Sequence, residues 1–255
     1  MASRTEPRAE FLRGDYRARL AAGPGDLARA LALRRVAFRG GTADDADAFD
    51  AAASHLLVEG RWDGRLVACC RFMLLASGGE IATSYAAQFY DLTRLAAYPA
   101  PMLELGRFCL ASDLRDPDVP RLAWGALAAF AAPRDVALIF GCSSFAGTDA
   151  RRHAAAFALL AARHVAPGRW RPGVKAPEVV RFADGAAPAD PRAGPLAMPP
   201  LLRVYLGLGG WVSDHAVIDR DLGTLHVFTA LERVALPAVR ARSLRDGVTP
   251  AGAER

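Results

Sequence analysis

The stretch Met102-Leu103-Glu104-Leu105-Gly106-Arg107-Phe108-Cys109-Leu110 has strand character and places one carboxylate and one guanidinium among apolar residues. Such charges are costly to bury unless they are paired or put to use. Three positions apart on a regular strand, Glu104 and Arg107 point to opposite faces. Gly106 between them predicts a bulge that swings both toward one cleft. For an isolated Glu-x-x-Arg a structural ion pair is the simpler explanation. The balance changes with the company these residues keep: Arg34 and Phe38, then Asp47-Ala48-Phe49-Asp50, then Arg71, then Gly141-Cys142-Ser143-Ser144-Phe145.

In that order and spacing the chain resembles the L-ornithine N-alpha-acyltransferases of ornithine-lipid synthesis. That family is a branch of the GNAT fold related to the acyl-homoserine-lactone synthases. The resemblance is carried by Leu33 to Phe38, Asp47 to Asp50, Ser54 to Val58, Glu104 to Arg107 and Phe140 to Phe145. Pro199 to Leu206 and Ala216 to Asp219 also fit, so it spans residues 26 to 230. It implies an α/β (α+β) fold: a GNAT-like mixed sheet flanked by helices, with a C-terminal helix and strand extension. It also implies that Glu104 and Arg107 belong to the catalytic cleft, and that Arg34, Phe38, Asp47, Asp50 and Arg71 surround the acceptor. The aromatic residue that the family carries shortly after Phe38 has no counterpart in Arg39-Gly40-Gly41-Thr42.

An amino-acid acceptor arrives with its amine protonated, so N-acyl transfer needs a base, acting directly or through water. Glu104 is the candidate. Arginine forks suit the carboxylate of ornithine, and aspartates suit its distal ammonium. In this fold a backbone N–H on the central strand stabilises the oxyanion, which here falls at Cys109 to Leu110. Ser143 or Ser144 is placed to donate to the departing thiolate; ordinary hydroxyls bonded to backbone are the alternative. A surface-facing arginine on a half-exposed strand is the simpler view of Arg71, whereas the resemblance implies a place in the cleft. Asp44 and Asp45 read as a solvated acidic loop.

The donor is argued from an absence. Coenzyme-A-dependent GNAT enzymes bind pyrophosphate on a Gly-rich turn at a helix N-terminus. The corresponding connection, Ser112 to Pro120, has no glycine and three aspartates. That favours acyl carrier protein, delivering a thioester as co-substrate, with no other cofactor and no metal. Carrier proteins are acidic, and Arg151, Arg152 and Arg163 form a candidate docking strip. Positions 152 and 163 are eleven apart and share a face if one helix carries both.

Composition bounds the rest. The net charge is +5, Lys175 is the single lysine, and hydrophobic residues make up 52% of the 255, ample for a core. A basic balance suits acidic partners, an anionic membrane surface among them, but no nucleic-acid module is recognisable. Cys69, Cys70, Cys109 and Cys142 form no CxxC pair, so buried free thiols are expected. No run approaches the roughly 18 apolar residues of a spanning helix. Residues 1–20 lack a signal-peptide core, which predicts a cytoplasmic protein, peripheral at most to the inner face of the membrane.

Four segments are expected: a flexible 1–24, an acyltransferase core over 25–164, a long loop over 165–198, and 199–255 completing the same domain. Within them the pattern predicts a helix capped by Asp26 and ended by Gly40-Gly41, and a hairpin of 55–59 with 66–75. Further helices are expected over 84–95, 121–131, from Asp149 to Arg163, 199–207 and 231–244. Strands are expected over 101–111, 136–145, 211–218 and 224–229. A homoserine-lactone synthase is the nearest alternative, although Leu105-Gly106 stands where those synthases carry a serine before the arginine. A non-catalytic acyl-carrier-binding protein is a second alternative, which would have no need of a buried base.

Overall fold

The computed structural model describes residues 10–184, 193–233 and 249–250. In chain order these hold β1 (Phe11–Arg13), β2 (Tyr16–Leu20), α1 (Pro24–Arg39), β3 (Ser54–Gly60), β4 (Leu66–Leu75) and β5 (Tyr90–Asp91). There follow β6 (Met102–Leu110), α2 (Asp118–Ala131), β7 (Leu138–Ala146), α3 (Ala154–Arg163), β8 (Gly173–Val174) and β9 (Val179–Arg181). The last are α4 (Ala193–Ala197), α5 (Pro200–Gly207), β10 (Trp211–Val212), β11 (His215–Asp219), β12 (Thr224–Glu232) and β13 (Thr249–Pro250). Helices flank mostly antiparallel strands, the mixed α/β class expected. The chain divides into two compact units, residues 1–73, 105–134 and 238–255 in one, 74–104 and 135–237 in the other.

In the first unit the strand order is β13-β1-β2-β3-β4-β6. The hairpin β3–β4 forms as expected, with Gly64 left-handed in its turn and a register shift between Val58 and Glu59. The described part of the segment expected to be flexible is instead the hairpin β1–β2, turned through left-handed Gly14. Its strands escape an apolar pattern because Arg17 and Arg19 face Glu59: their Nε atoms lie 3.0 and 2.9 Å from Oε2 of that fully buried carboxylate. Residues 1–9 lie outside the described residues.

α1 starts at Pro24, a favourable first helical residue, and ends at left-handed Gly40. Gly23, not Asp26, is its N-cap. Asp26 sits in the first turn, where it accepts from the Ala22 amide and from both terminal nitrogens of Arg19. Those Arg19 hydrogen bonds hold its carboxyl well below the usual range. α1 buries only Ala30 and Arg34, whereas α2 buries Val119, Leu122, Trp124 and Leu127 among others. At about 1.5–3 kcal/mol per large apolar side chain buried, α2 is held by its core face. α1 has no such anchor and is held by charge. α2 begins at Asp118, three residues before the expected start.

The second unit has the order β7-β12-β11-β9, with β10 on β12 and a small β5–β8 ribbon. The β7–β12 ladder runs from Leu138 opposite Glu232 to Ala146 opposite Thr224. Phe140, Phe228 and Trp211 stack in one cluster; Phe145, Phe157, Leu160, Phe182 and Leu202 fill another.

Several expected elements are corrected. Residues 84–95 form no α-helix but short 3₁₀ turns around β5. Asp91 accepts from the Thr93 amide, and a Cβ on Gly78 would lie 2.0 Å from the Leu95 carbonyl oxygen, so the chain is folded back too tightly for a helix. The expected strand 211–218 is broken at Ser213, whose hydroxyl donates to the His215 carbonyl and accepts from the Phe228 amide. The expected long loop contains β8, β9 and α4 in its described part; residues 185–192 lie outside the described residues. Leu231 and Glu232 finish β12 rather than start a helix, and 234–244 lie outside the described residues. Cys69, Cys70 and Cys109 are buried free thiols and Cys142 is half-buried. Among the described residues no helix is long and apolar enough to cross a membrane, and no group of three His, Cys, Asp or Glu is placed to hold a metal ion.

Candidate active site

The first unit brings Arg34, Asp47, Asp50, Arg71 and Arg107 into one charged cluster, and adds Asp45. Arg34 is on the buried face of α1, 1% exposed. Its Nε donates to Asp45 Oδ2 at 2.7 Å and its Nη1 to Asp50 Oδ1 at 2.5 Å. Its Nη2 donates to the Asp45 carbonyl at 2.6 Å and to Asp50 Oδ2 at 3.2 Å. These four bonds enclose the guanidinium in carboxylates, so Arg34 supports the cluster from beneath.

Arg71, 4% exposed on β4, is a buried residue and not a surface one. It donates to Asp50 Oδ1 at 2.9 Å and, through both terminal nitrogens, to Asp47. Its guanidinium lies over the Phe49 ring at 5.6 Å. Arg107, on β6, donates from Nε to Asp45 Oδ2 at 2.9 Å and from Nη2 to Asp47 Oδ2 at 3.5 Å. It lies over the ring of half-buried Phe38 at 5.7 Å.

The loop between α1 and β3 is shaped to deliver the carboxylates. Asp47 accepts from the Phe49 amide and Asp50 from the Asp47 amide, local turns that aspartate favours. His55 Nε2 lies 3.1 Å from the Asp50 carbonyl oxygen. Burial opposes the charge on Asp50, but hydrogen bonds from Arg34, the Asp47 amide and Arg71 outweigh it and hold the carboxyl at about 2. For Asp47, too, burial is outweighed, chiefly by Arg71, and its pKa is lowered. Arg34 is raised, with its two aspartates overcoming burial. These are fixed charges at neutral pH.

Two expectations at this cluster are corrected. Asp45, read as solvated, is buried at 2% exposure, while its neighbour Asp44 is exposed. The irregular residue of β6 is Arg107 itself, left-handed at φ 51, not Gly106. The signal for Asp45 was present: Arg34, Arg71 and Arg107 all interrupt apolar elements, and three buried guanidinium groups require carboxylates beside them. Cys109 is buried with its Sγ 3.6 Å from that of Cys69, a contact that, with burial, pushes its thiol far up. Leu110 is half-buried, and the next amide, Ala111, donates to the Val67 carbonyl.

Glu104 belongs to the second unit and is 5% exposed. Oε2 accepts from the Tyr85 amide and Oε1 from the Ala86 amide, each at 2.8 Å. Sequence reasoning missed these two donors because the segment was expected to be helical. Together they fix the orientation of the carboxylate. On β7, Ser143 is buried and Ser144 exposed. Arg151, Arg152 and Arg163 are exposed, but they do not share one helix. Asp149 accepts from the Arg151 amide and tightens residues 150–153 into a 3₁₀ turn, and α3 starts only at Ala154. Arg151 also pairs with Asp149.

The profile of the Acetyltransferase (GNAT) domain matches residues 35–125. The chain is 35% identical over 199 residues to the L-ornithine N(alpha)-acyltransferase of Rhodobacter capsulatus, covering 75% of this chain and 76% of that protein. It is 32% identical over 206 residues to that of Brucella abortus, covering 75% and 72%. Among solved structures it is similar to an N-acyl amino acid synthase from uncultured soil microbes, with TM-score 0.49 and 10% identity, covering 85% of this chain and 91% of that one. Fold and profile together define a GNAT-type acyltransferase. Within that class the chain belongs to the L-ornithine N(alpha)-acyltransferase family.

Proposed function

We propose that this acyltransferase moves a 3-hydroxyacyl chain from acyl carrier protein to the α-amine of L-ornithine, giving lyso-ornithine lipid. The observation that carries the acceptor is the Arg–Asp cluster of the first unit, in which Asp47, at 25% side-chain exposure, is the most accessible carboxylate. A cluster with both signs of charge at its edge suits an amino acid with a distal ammonium: Asp47 for the ammonium and an arginine fork for the carboxylate. The family resemblance assigns the base to Glu104, which would take one proton of the α-amine, directly or through water. The amine nitrogen then bonds to the thioester carbonyl carbon, and the carbonyl electrons pass to oxygen, stabilised at Cys109 and Leu110. As the oxyanion collapses the C–S bond breaks, the surplus proton on the nitrogen passes to the departing sulfur, and the carrier thiol leaves with help from Ser143 or Ser144.

The α2 terminus supports a carrier-protein donor. Asp116 accepts from the Asp118 amide, and Asp118 pairs with Arg13 at 2.8 Å, so carboxylates occupy the end at which a pyrophosphate would bind. Arg151, Arg152 and Arg163 are proposed to meet the acidic carrier, in a cytoplasmic reaction that needs no added cofactor and whose amphipathic product suits peripheral contact with the inner face of the membrane. The test is incubation of purified protein with 3-hydroxyacyl carrier protein and a panel of amino acids, read by mass. A product dominated by N-acyl-ornithine is expected; acylation of another amino acid in preference would sink the reading.

A further inference from the structure

None of the roles above uses Asp45, yet it ties the cluster together. Its side chain is fully buried, and a single oxygen, Oδ2, accepts from Arg34 Nε at 2.7 Å and Arg107 Nε at 2.9 Å. Oδ1 faces Arg39 Nε at 3.5 Å, and the Asp45 carbonyl takes a further Arg34 donor. Arg107 is left-handed at φ 51, a conformation that L residues keep only where their surroundings over-determine it. The guanidinium is a planar fork, so fixing Nε fixes the plane in which both terminal nitrogens lie. Asp45 grips that atom from inside the unit, and through Arg34 it refers the fork to α1.

We infer that Asp45 is the positioning residue that aims the Arg107 guanidinium at the acceptor, an inference resting on the ornithine reading above. Fully enclosed, it acts through Arg107 and touches no substrate. Asp45 Oδ2 is shared by two Nε donors, so its geometry links the helix that carries Arg34 to the strand that carries Arg107. A misplaced fork would bind the amino acid poorly while leaving the carrier protein and its thioester unaffected.

Asp45→Asn keeps the size of the side chain and removes its charge. It should lower kcat/KM for ornithine by about 10- to 100-fold, chiefly through KM for ornithine, with KM for the carrier donor unchanged. Asp44→Asn, on the exposed neighbour, should match wild type. In an Arg107→Lys background, which has no Nε, adding Asp45→Asn should cost less than about 3-fold more, as expected when both changes remove one interaction. Wild-type kinetics in folded Asp45→Asn, or an equal loss in both backgrounds, would overturn the inference. Wild-type protein gives a second readout should Asp45→Asn not fold. The ¹⁵Nε–H resonance of Arg107, identified by its disappearance in Arg107→Lys, should exchange slowly with solvent, and fast exchange would also overturn the inference. A wild-type protein that does not acylate ornithine would refute the acceptor reading instead, and the resonance would still decide the role of Asp45.

Discussion

Replacing Asp50 by asparagine tests whether the buried cluster contributes to stability through its charge. The Asp50 carboxyl is held at about 2 in the folded protein, against about 3.9 for an unperturbed aspartate. A tenfold change in proton affinity corresponds to about 1.4 kcal/mol, so ionised Asp50 contributes on the order of 2–3 kcal/mol. The folded value lies below the unfolded one, so this stability is fully present above about pH 5 and is lost as pH falls toward about 2, with roughly half gone by pH 3. Asp50→Asn should therefore be less stable than wild type at pH 7 by about 3 kcal/mol, since Arg34 and Arg71 would lose a buried partner. Urea denaturation of both proteins between pH 7 and pH 3 measures the gap, and the subtraction removes carboxylates common to both. The gap should narrow by about 1 kcal/mol on reaching pH 3. A gap that stays constant, or widens as pH falls, would refute an ionised Asp50 held by Arg34 and Arg71.

Glu104→Gln should cut turnover by about 10² to 10⁴, the range of general acid–base catalysis; wild-type turnover in folded protein would end the role of Glu104 as base. The same change turns one carboxylate oxygen into an NH₂ facing the Tyr85 or Ala86 amide, so chemical denaturation should also show a loss of about 1–3 kcal/mol. With carboxylates at the α2 terminus, acyl-coenzyme A should be a far poorer donor than acyl carrier protein, and equal kcat/KM for the two would count against that reading. Neutralising Arg152 and Arg163 together should raise KM for the carrier and flatten its salt dependence with kcat unchanged; an unchanged KM at low ionic strength would place docking elsewhere.

What could be read from sequence followed the physics of apolar burial. The β3–β4 hairpin, β6, β7 and α5 were legible because runs such as Leu66 to Leu75 and Leu138 to Phe140 declare themselves and Gly64 marks a turn. Elements stabilised by charge were not. β1–β2 was hidden because Arg17 and Arg19 sit where an apolar pattern was sought, although Glu59 receives them on a buried face. Three arginines interrupting apolar elements signalled that a further carboxylate was needed, but Asp45 looked identical to Asp44, and the position of Arg34 and Arg107 in three dimensions decides which of the two is enclosed. At β6, glycine was the expected site of distortion because it carries the left-handed conformation at least cost. The distortion falls on Arg107, whose side chain is held by Asp45.

The same ion pairs explain why α1 and the proposed acceptor site must be considered together. α1 has little apolar anchorage; Arg19 and Glu59 hold its first turns through Asp26 and Arg29, and Asp45 and Asp50 hold its middle through Arg34. Replacing a buried ion cluster by apolar residues is often neutral or stabilising, so stability alone is a weak reason for one. A site that receives a zwitterion with a second ammonium does have a reason, because its charges must already be oriented when the ligand arrives. Asp47 stands at the accessible edge of the cluster, and behind it Asp45 and Asp50 join Arg107 and Arg71 to Arg34. An ammonium at Asp47 would draw on the charge that Asp47 shares with Arg71, and a carboxylate at Arg107 would draw on its bond to Asp45. Arg34, bonded to both Asp45 and Asp50, would take up the balance in both cases, which gives a buried arginine a reason to sit at the centre of the cluster.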